Sequence, residues 1–255
     1  MTAPARRVRL DLAYDGTDFC GWQMQPGRRT VQGVVEEALA ALHAGRRVAL
    51  RAASRTDSGV HARGQVADCE VRLRHGDSAL AYTLRRLLPP DVRPLAVRTI
   101  ADDFHSRNHA LGKVYRYRID RTPHGDPFAR RFALHHPAPL DQGRMRAALQ
   151  LLPGRHDWSG FTSRLAAGDD PVRLLTVAEL DDSVAGEIGL VFAAEGFLRY
   201  MVRNLVGTLI EIGKGTIPLE RVRRILEHGD PRLAGPTAAA KGLHLLRVDY
   251  AQPRP

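Results

Sequence analysis

The sequence predicts an α+β fold of two similar halves. Each half is a mostly antiparallel sheet covered by helices on one face, and together they form a central basic cleft. Three observations lead there. Segments of period-two hydrophobicity alternate with segments of helical period over most of the 255 residues. The same succession of strands and helices recurs in the second half. The positive charge is spread over both halves: residues 1–112 carry 17 basic against 12 acidic side chains, and residues 113–255 carry 21 against 16. The boundary falls near residues 104–112, which gives an N-terminal half 1–106 and a C-terminal half 107–255.

The elements follow in order. "RRVRLDLAYDG" alternates at Val8, Leu10, Leu12 and Tyr14 and then meets Asp-Gly, a strand ending in a turn. "TVQGVVEEALAALHAG" repeats apolar residues at helical spacing from Val31 to Leu42, with Thr30 as N-cap and Gly45 as stop. "GQVADCEVRL" reads as a strand. "SALAYTLRRLL" reads as a short helix that stops at Pro89-Pro90, and "VRPLAVRTIA" as a strand.

In the second half, "KVYRYRID" and "RRFALHH" read as strands. "LDQGRMRAALQLLPG" is an amphipathic helix with Met145, Leu149 and Leu152 on one side. "TVAELDDS" and "EIGLVFAAE" form a hairpin-type pair. "FLRYMVRNLVGTLIEIG" carries the strongest helical stripe, from Leu198 to Ile210. A helix "LERVRRILEHG" follows Pro218, and "LHLLRVDY" closes as a strand.

Composition narrows the function classes. Hydrophobic residues make up 44% and charged residues 26%, which excludes disorder for most of the length. The net charge of +10 favours a polyanionic partner, most often nucleic acid. Only three of the 38 basic residues are lysine, and arginine is the better fork for phosphate. The two cysteines, Cys20 and Cys69, form no metal-binding pair and suit a reducing cytoplasm. No signal-peptide pattern or apolar run of membrane-spanning length occurs.

The chemistry centres on "SRTDSGVHARGQ". Asp57 lies two positions after Arg55, so an extended segment puts both side chains on one face within ion-pairing reach. Such a pair keeps the carboxylate ionised, fit to act as nucleophile or base. Gly59 lets the chain turn close to a ligand. Taken alone, an Arg-x-Asp pair is more often a surface salt bridge. "KVYRYRID" interleaves Tyr115 and Tyr117 with Arg116 and Arg118, a pattern for base stacking and phosphate contact, although a core tyrosine is the commoner case. Arg199 and Arg203 lie four apart on the flank of the long apolar stripe. His135 and His136 point to opposite faces of a strand, and His61 and His105 have no nearby partner of ligand type, so no metal site is expected. No nucleotide-binding glycine motif or nucleophile elbow is present.

Several of these segments together resemble the TruA family of tRNA pseudouridine synthases. "YDGTDFCGWQ" is similar to its N-terminal signature and "SRTDSGVHARGQV" to its catalytic loop. "FHSR" with "KVYRYRI" resembles the central block, "FLRYMVRNLVGTL" the long C-terminal helix, and "AAAKGLHLLRVDY" the closing strand. The matches run in the family's order from about residue 7 to residue 250. The resemblance implies that Asp57 is the essential aspartate and Arg55 the arginine beside it. It makes Tyr115 the active-site tyrosine that stacks near the target base. It makes Arg203 the arginine that pairs with the aspartate when no substrate is present. Arg199 and His61 join Arg55 and Tyr115 as candidate substrate-binding residues.

The resemblance further implies conversion of uridine to pseudouridine at positions 38, 39 and 40 of the tRNA anticodon stem-loop. It implies no cofactor, no metal, and a cytoplasmic homodimer whose tRNA contacts come from both subunits. Three departures stand out: Ser58 where alanine is usual, Leu87 where asparagine is usual, and an unlike loop at 164–174. Asp57 attacks C1′ or the base as a nucleophile, or takes the 2′ proton, and the residues alone do not choose. The alternatives are a non-catalytic basic RNA-binding protein and a pseudouridine synthase acting on another RNA.

Overall fold

A computed structural model describes residues 3–162, 165, 168 and 170–251. The chain divides into two compact units, one of Met1–Leu111 with Leu245–Pro255 and the other of Gly112–His244.

The first unit holds β1 (Arg6–Tyr14), α1 (Val31–Leu42), β2 (Arg51–Ala52), β3 (His61–Val71), α2 (Asp77–Leu87) and β4 (Val92–Thr99). The second holds most of β5 (Ala110–Asp120), then β6 (Leu134–His135), α3 (Gln142–Leu149), β7 (Gly154–Asp157), β8 (Val172–Asp181), β9 (Glu187–Ala194), α4 (Met201–Gly213) and α5 (Glu220–His228). The last strand, β10 (Leu243–Tyr250), rejoins the first unit from Leu245 onward.

In the first unit the strand order is β4-β1-β3-β10, with β2 paired to β3. β1 is antiparallel to both β3 and β4. Its alternation works as read: Val8, Leu10 and Leu12 are fully buried, as are Leu39 of α1 and Leu80 and Leu84 of α2. Thr30 caps α1 by accepting the Gly33 N–H at 3.2 Å. The β1–β3 register shifts between Leu12 and Tyr14, where β1 gives way to the loop beginning at Asp15.

In the second unit the order is β5-β9-β8-β7, all antiparallel, with β6 parallel to the end of β5. Met145 on α3 is fully buried, and Gly213 at the end of α4 allows the approach: a Cβ there would lie 2.9 Å from the Met145 sulfur.

Two elements differ from the reading. "RRFALHH" forms only the two-residue β6, because Asp126, Phe128 and Ala129 enter successive turns closed by Ala129 N–H to Asp126 O at 3.1 Å and Phe132 N–H to Ala129 O at 2.8 Å. The long helix starts at Met201, not at Leu198. Tyr200 sits in the left-handed region at φ +61°, which ends any helical run through it. Arg199 therefore lies before the helix instead of on its flank. The loop 164–174 falls partly outside the described residues.

Candidate active site

Asp57 stands in the connection from β2 to β3. A turn closes there, with the Val60 N–H donating to Asp57 O at 3.1 Å. Gly59 has φ +78°, the conformation that the third position of such a turn demands and that glycine takes without strain. Thr56 is buried, and its hydroxyl lies 2.8 Å from the Tyr14 hydroxyl. The residues on either side of it turn the other way. Asp57 is half-buried and Arg55 is exposed.

Arg55 forms no hydrogen bond or ion pair among the described residues, so the expected Arg55–Asp57 pair is not made. Arg55 is exposed, whereas Asp57 is half-buried at the first position of the turn.

The loop after β1 packs directly on this turn. Trp22 N–H donates to Thr56 O at 3.0 Å, and Gly59 N–H to Phe19 O at 3.4 Å. The Ser58 hydroxyl donates to the same Phe19 carbonyl at 3.1 Å. This gives Ser58 a defined job: it ties the turn to the loop. Two glycines make the approach possible. A Cβ on Gly16 would fall 2.0 Å from Val60 O, and one on Gly21, at φ +86°, would fall 2.8 Å from Thr56 O. From the other side, fully buried Gln65 on β3 accepts the Ser54 N–H at 3.3 Å and donates to Ser54 O at 2.7 Å and to Tyr14 Oη at 3.3 Å. Tyr14, Gly16, Gly21 and Gln65 lie in segments quoted from the sequence but were not named there as site residues. Glycines on both sides of a strand end were the available signal.

His61, expected as a substrate contact, is 2% exposed. Its Nδ1 lies 3.0 Å from the Gly16 amide, which donates to it, and 3.2 Å from an Asp15 carboxylate oxygen. The ring thus braces the loop after β1 against the first residue of β3.

The strand leading into Asp57 is held by a buried charge. Asp68 on β3 is fully buried and accepts from Arg7 Nη1 at 2.9 Å, from Arg51 Nε at 3.0 Å, and from the Ser106 N–H at 2.9 Å. The Ser106 hydroxyl donates to Arg51 O at 2.9 Å. Burial pushes the Asp68 carboxyl up, and the hydrogen bonds from Arg51, Ser106 and Arg7 outweigh it and hold it below the usual carboxylate range. "FHSR" is therefore a brace for β2, two residues before the catalytic loop.

The second unit carries Tyr115, Arg199 and Arg203. Tyr115 on β5 is 5% exposed, pairs with Phe192 of β9 in the sheet register, and meets Phe197 edge-on at 5.2 Å between centroids. Its neighbours Arg116 and Arg118, read as phosphate contacts, are committed to carboxylates: Arg116 to Asp181 at 2.5 Å and Arg118 to Glu187 at 2.6 Å. Tyr117 is fully buried and donates to Ala239 O at 2.8 Å; burial pushes its hydroxyl pKa up. Arg203 on the first turn of α4 donates to Ala238 O at 2.8 Å. Arg199 and Arg203 converge on one ring, with guanidinium carbons 5.1 and 5.0 Å from the Tyr200 centroid. The backbone beneath is fixed by the Thr162 hydroxyl, which donates to Arg199 O at 2.8 Å.

A family described as tRNA pseudouridine synthase matches residues 12–103 and 148–251, which include Asp57, Arg199 and Arg203. The chain belongs to this family. Among its relatives, tRNA pseudouridine synthase A of Streptococcus pneumoniae (strain 70585) is 39% identical over 247 residues, covering 96% of this chain and 99% of that protein. The protein of the same name from Streptococcus equi subsp. equi (strain 4047) shows the same identity and coverage. The family match spans both packing loops of the first unit and the start of α4 in the second, the segments whose geometry is described above.

Among the described residues, no group of three His, Cys, Asp or Glu side chains is placed to hold a metal ion, and no helix is long and apolar enough to cross a membrane.

Proposed function

We propose that this protein converts uridine to pseudouridine at positions 38, 39 and 40 of the tRNA anticodon stem-loop, with Asp57 as the essential catalytic residue. Family membership supports the reaction, an isomerisation in tRNA. The observation that carries the role of Asp57 is the bracing of its turn from two sides, by Gln65 and by the backbone of the loop through Gly21 and Trp22. A purely structural turn at the surface has no need of that precision.

The reaction breaks the N1–C1′ bond of uridine and joins C5 to C1′. The proton that leaves C5 is replaced at N1, so the product is an isomer and no redox or energy cofactor is required. The base inside a stem-loop must first leave its stack. Asp57 then attacks C1′ or the base, as a glycosidase carboxylate attacks a sugar, or removes the 2′ proton to allow elimination. Tyr115 packs against the detached uracil while it rotates, and Arg203 keeps the carboxylate ionised. Arg55 and Arg199 contact the RNA backbone. His61 acts one step back, by holding the loop after β1 in place. The enzyme works as a cytoplasmic homodimer.

The charge distribution supports an RNA substrate. Arg7 and Arg51 share the Asp68 carboxylate, and Arg116 and Arg118 are paired with Asp181 and Glu187, so all four are engaged within the fold. Arg28, Arg46, Arg55, Arg63, Arg86 and Arg107 are exposed and form no side-chain hydrogen bond or ion pair among the described residues. These are free to meet phosphate. The test is pseudouridine mapping of an unmodified tRNA transcript after incubation with the protein. Conversion at U38, U39 or U40 and nowhere else supports the reading. Conversion confined to other positions, or none, overturns it.

A further inference from the structure

The connection from β5 to β6 presents one aromatic ring to solvent. Phe128 is 90% exposed, the highest value among the exposed large apolar residues. It is not at the tip of a loose segment. The Asp120 carboxylate, 6% exposed in its residue, accepts the Thr122 N–H at 2.9 Å, the Thr122 hydroxyl at 2.6 Å and the Asp126 N–H at 2.8 Å. The Asp126 carboxylate in turn accepts the Phe128 N–H at 2.8 Å. Gly125 turns the chain at φ +76°, Pro127 fixes the backbone before the ring, and Lys241 Nζ donates to Arg130 O at 3.2 Å. The fold therefore holds a phenylalanine rigidly in water, where its burial would have been stabilising.

The surroundings indicate what it meets. His124 and Arg130 are exposed, and the Arg130 side chain forms no hydrogen bond or ion pair among the described residues. The one acidic neighbour, Asp126, is turned inward to the backbone. In the second unit the only other exposed large apolar side chain among the described residues is Val184. A protein–protein interface needs about 800 Å² per partner with a cluster of apolar residues at its centre. One aromatic ring beside an unpaired arginine instead fits a nucleobase and its phosphate.

We propose that Phe128 and Arg130 form an RNA contact outside the catalytic residues, the ring stacking on an unpaired base of the tRNA and the guanidinium taking an adjacent phosphate. This rests on the tRNA-acting reading above and adds a subsite to it.

The test measures tRNA affinity by filter binding for the full-length protein and for Phe128→Ala, Phe128→Leu, Phe128→Trp and Arg130→Ala, with sedimentation and thermal melting of each. Loss of one base–aromatic stack weakens binding about 5- to 150-fold in Phe128→Ala. Phe128→Leu, apolar but without a π-face, weakens it as much, and Phe128→Trp restores it. Arg130→Ala reduces the salt slope by about one contact. Melting temperatures stay at the wild-type value because the ring is already exposed. Wild-type affinity in Phe128→Leu overturns the proposal. So does a change of oligomeric state in Phe128→Ala with affinity per protomer unchanged, which would make the partner a second copy of the chain. A wild-type protein that forms no pseudouridine, with tRNA affinity still lost in Phe128→Ala, would sink the functional reading and leave this contact standing.

Discussion

Gly21→Ala tests how the turn carrying Asp57 is aimed. Gly21 has φ +86°, where an alanine costs about 1–2 kcal/mol. Its new Cβ would also meet three backbone atoms of the turn: Thr56 O at 2.8 Å, Ser58 N at 3.1 Å and Asp57 C at 3.2 Å. An unstrained carbon–oxygen contact is about 3.3 Å or more, so the turn or the loop must give way by about 0.5 Å. Strain and displacement together cost about 2–3 kcal/mol, which lowers the melting temperature by about 4–12 °C for a chain of this size. Displacing the carboxylate by that amount lowers kcat about 10- to 100-fold, with a smaller change in KM.

Gly27→Ala is the control, because Gly27 has φ +67° but nothing within 4 Å of its Cβ position. It should lose about 1–2 kcal/mol of stability with kcat unchanged. The assay is pseudouridine formation at saturating tRNA, normalised to folded protein, beside thermal melting. If Gly21→Ala loses stability as predicted but keeps the wild-type kcat, the glycine only serves packing and the positioning argument fails.

Three further outcomes follow from the same geometry. Asp68→Asn removes a buried charge from Arg7, Arg51 and Ser106; because both arginines are partly exposed, the loss is about 2–3 kcal/mol, read by urea denaturation near neutral pH. The folded-state pKa of Asp68 is depressed, so its contribution is present above about pH 4 and is lost as pH falls through the folded value; the gap between wild type and variant should close there, and a constant gap would contradict the assignment. Ser58→Ala deletes one hydroxyl-to-carbonyl hydrogen bond and costs about 0.5–1.5 kcal/mol with activity retained, measured by melting and turnover. tRNA affinity should fall linearly with the logarithm of salt concentration, and a flat response in filter binding would argue against phosphate contacts by the exposed arginines.

Much of the fold was legible because its signals are local. Val8, Leu10 and Leu12 alternate in sequence and are buried in alternation, and Thr30 caps α1 as its residue type predicts. The failures are places where a nonlocal or backbone-level fact decides. The helical stripe through Leu198 is apolar enough to read as helix, but one left-handed residue, Tyr200, moves the start to Met201. Arg55 and Asp57 have the spacing of an ion pair, but Arg55 is exposed and forms no ion pair among the described residues, and a two-residue offset does not show where a long side chain settles. Arg116 and Arg118 look like phosphate ligands until β8 and β9 supply Asp181 and Glu187. Of the proposed site, Asp57, Tyr115 and Arg203 were named from the sequence through the family resemblance. The support from Tyr14, Gly16, Gly21 and Gln65 was not, because those residues act through packing partners between 11 and 51 positions away in the chain.

The central claim is that Asp57 performs the chemistry. Asp57→Asn keeps the size of the side chain and removes its charge. Assayed with the wild-type protein on an anticodon stem-loop transcript, the variant should bind the RNA, melt near the wild-type temperature and form no pseudouridine above background. Turnover close to wild type would contradict the account.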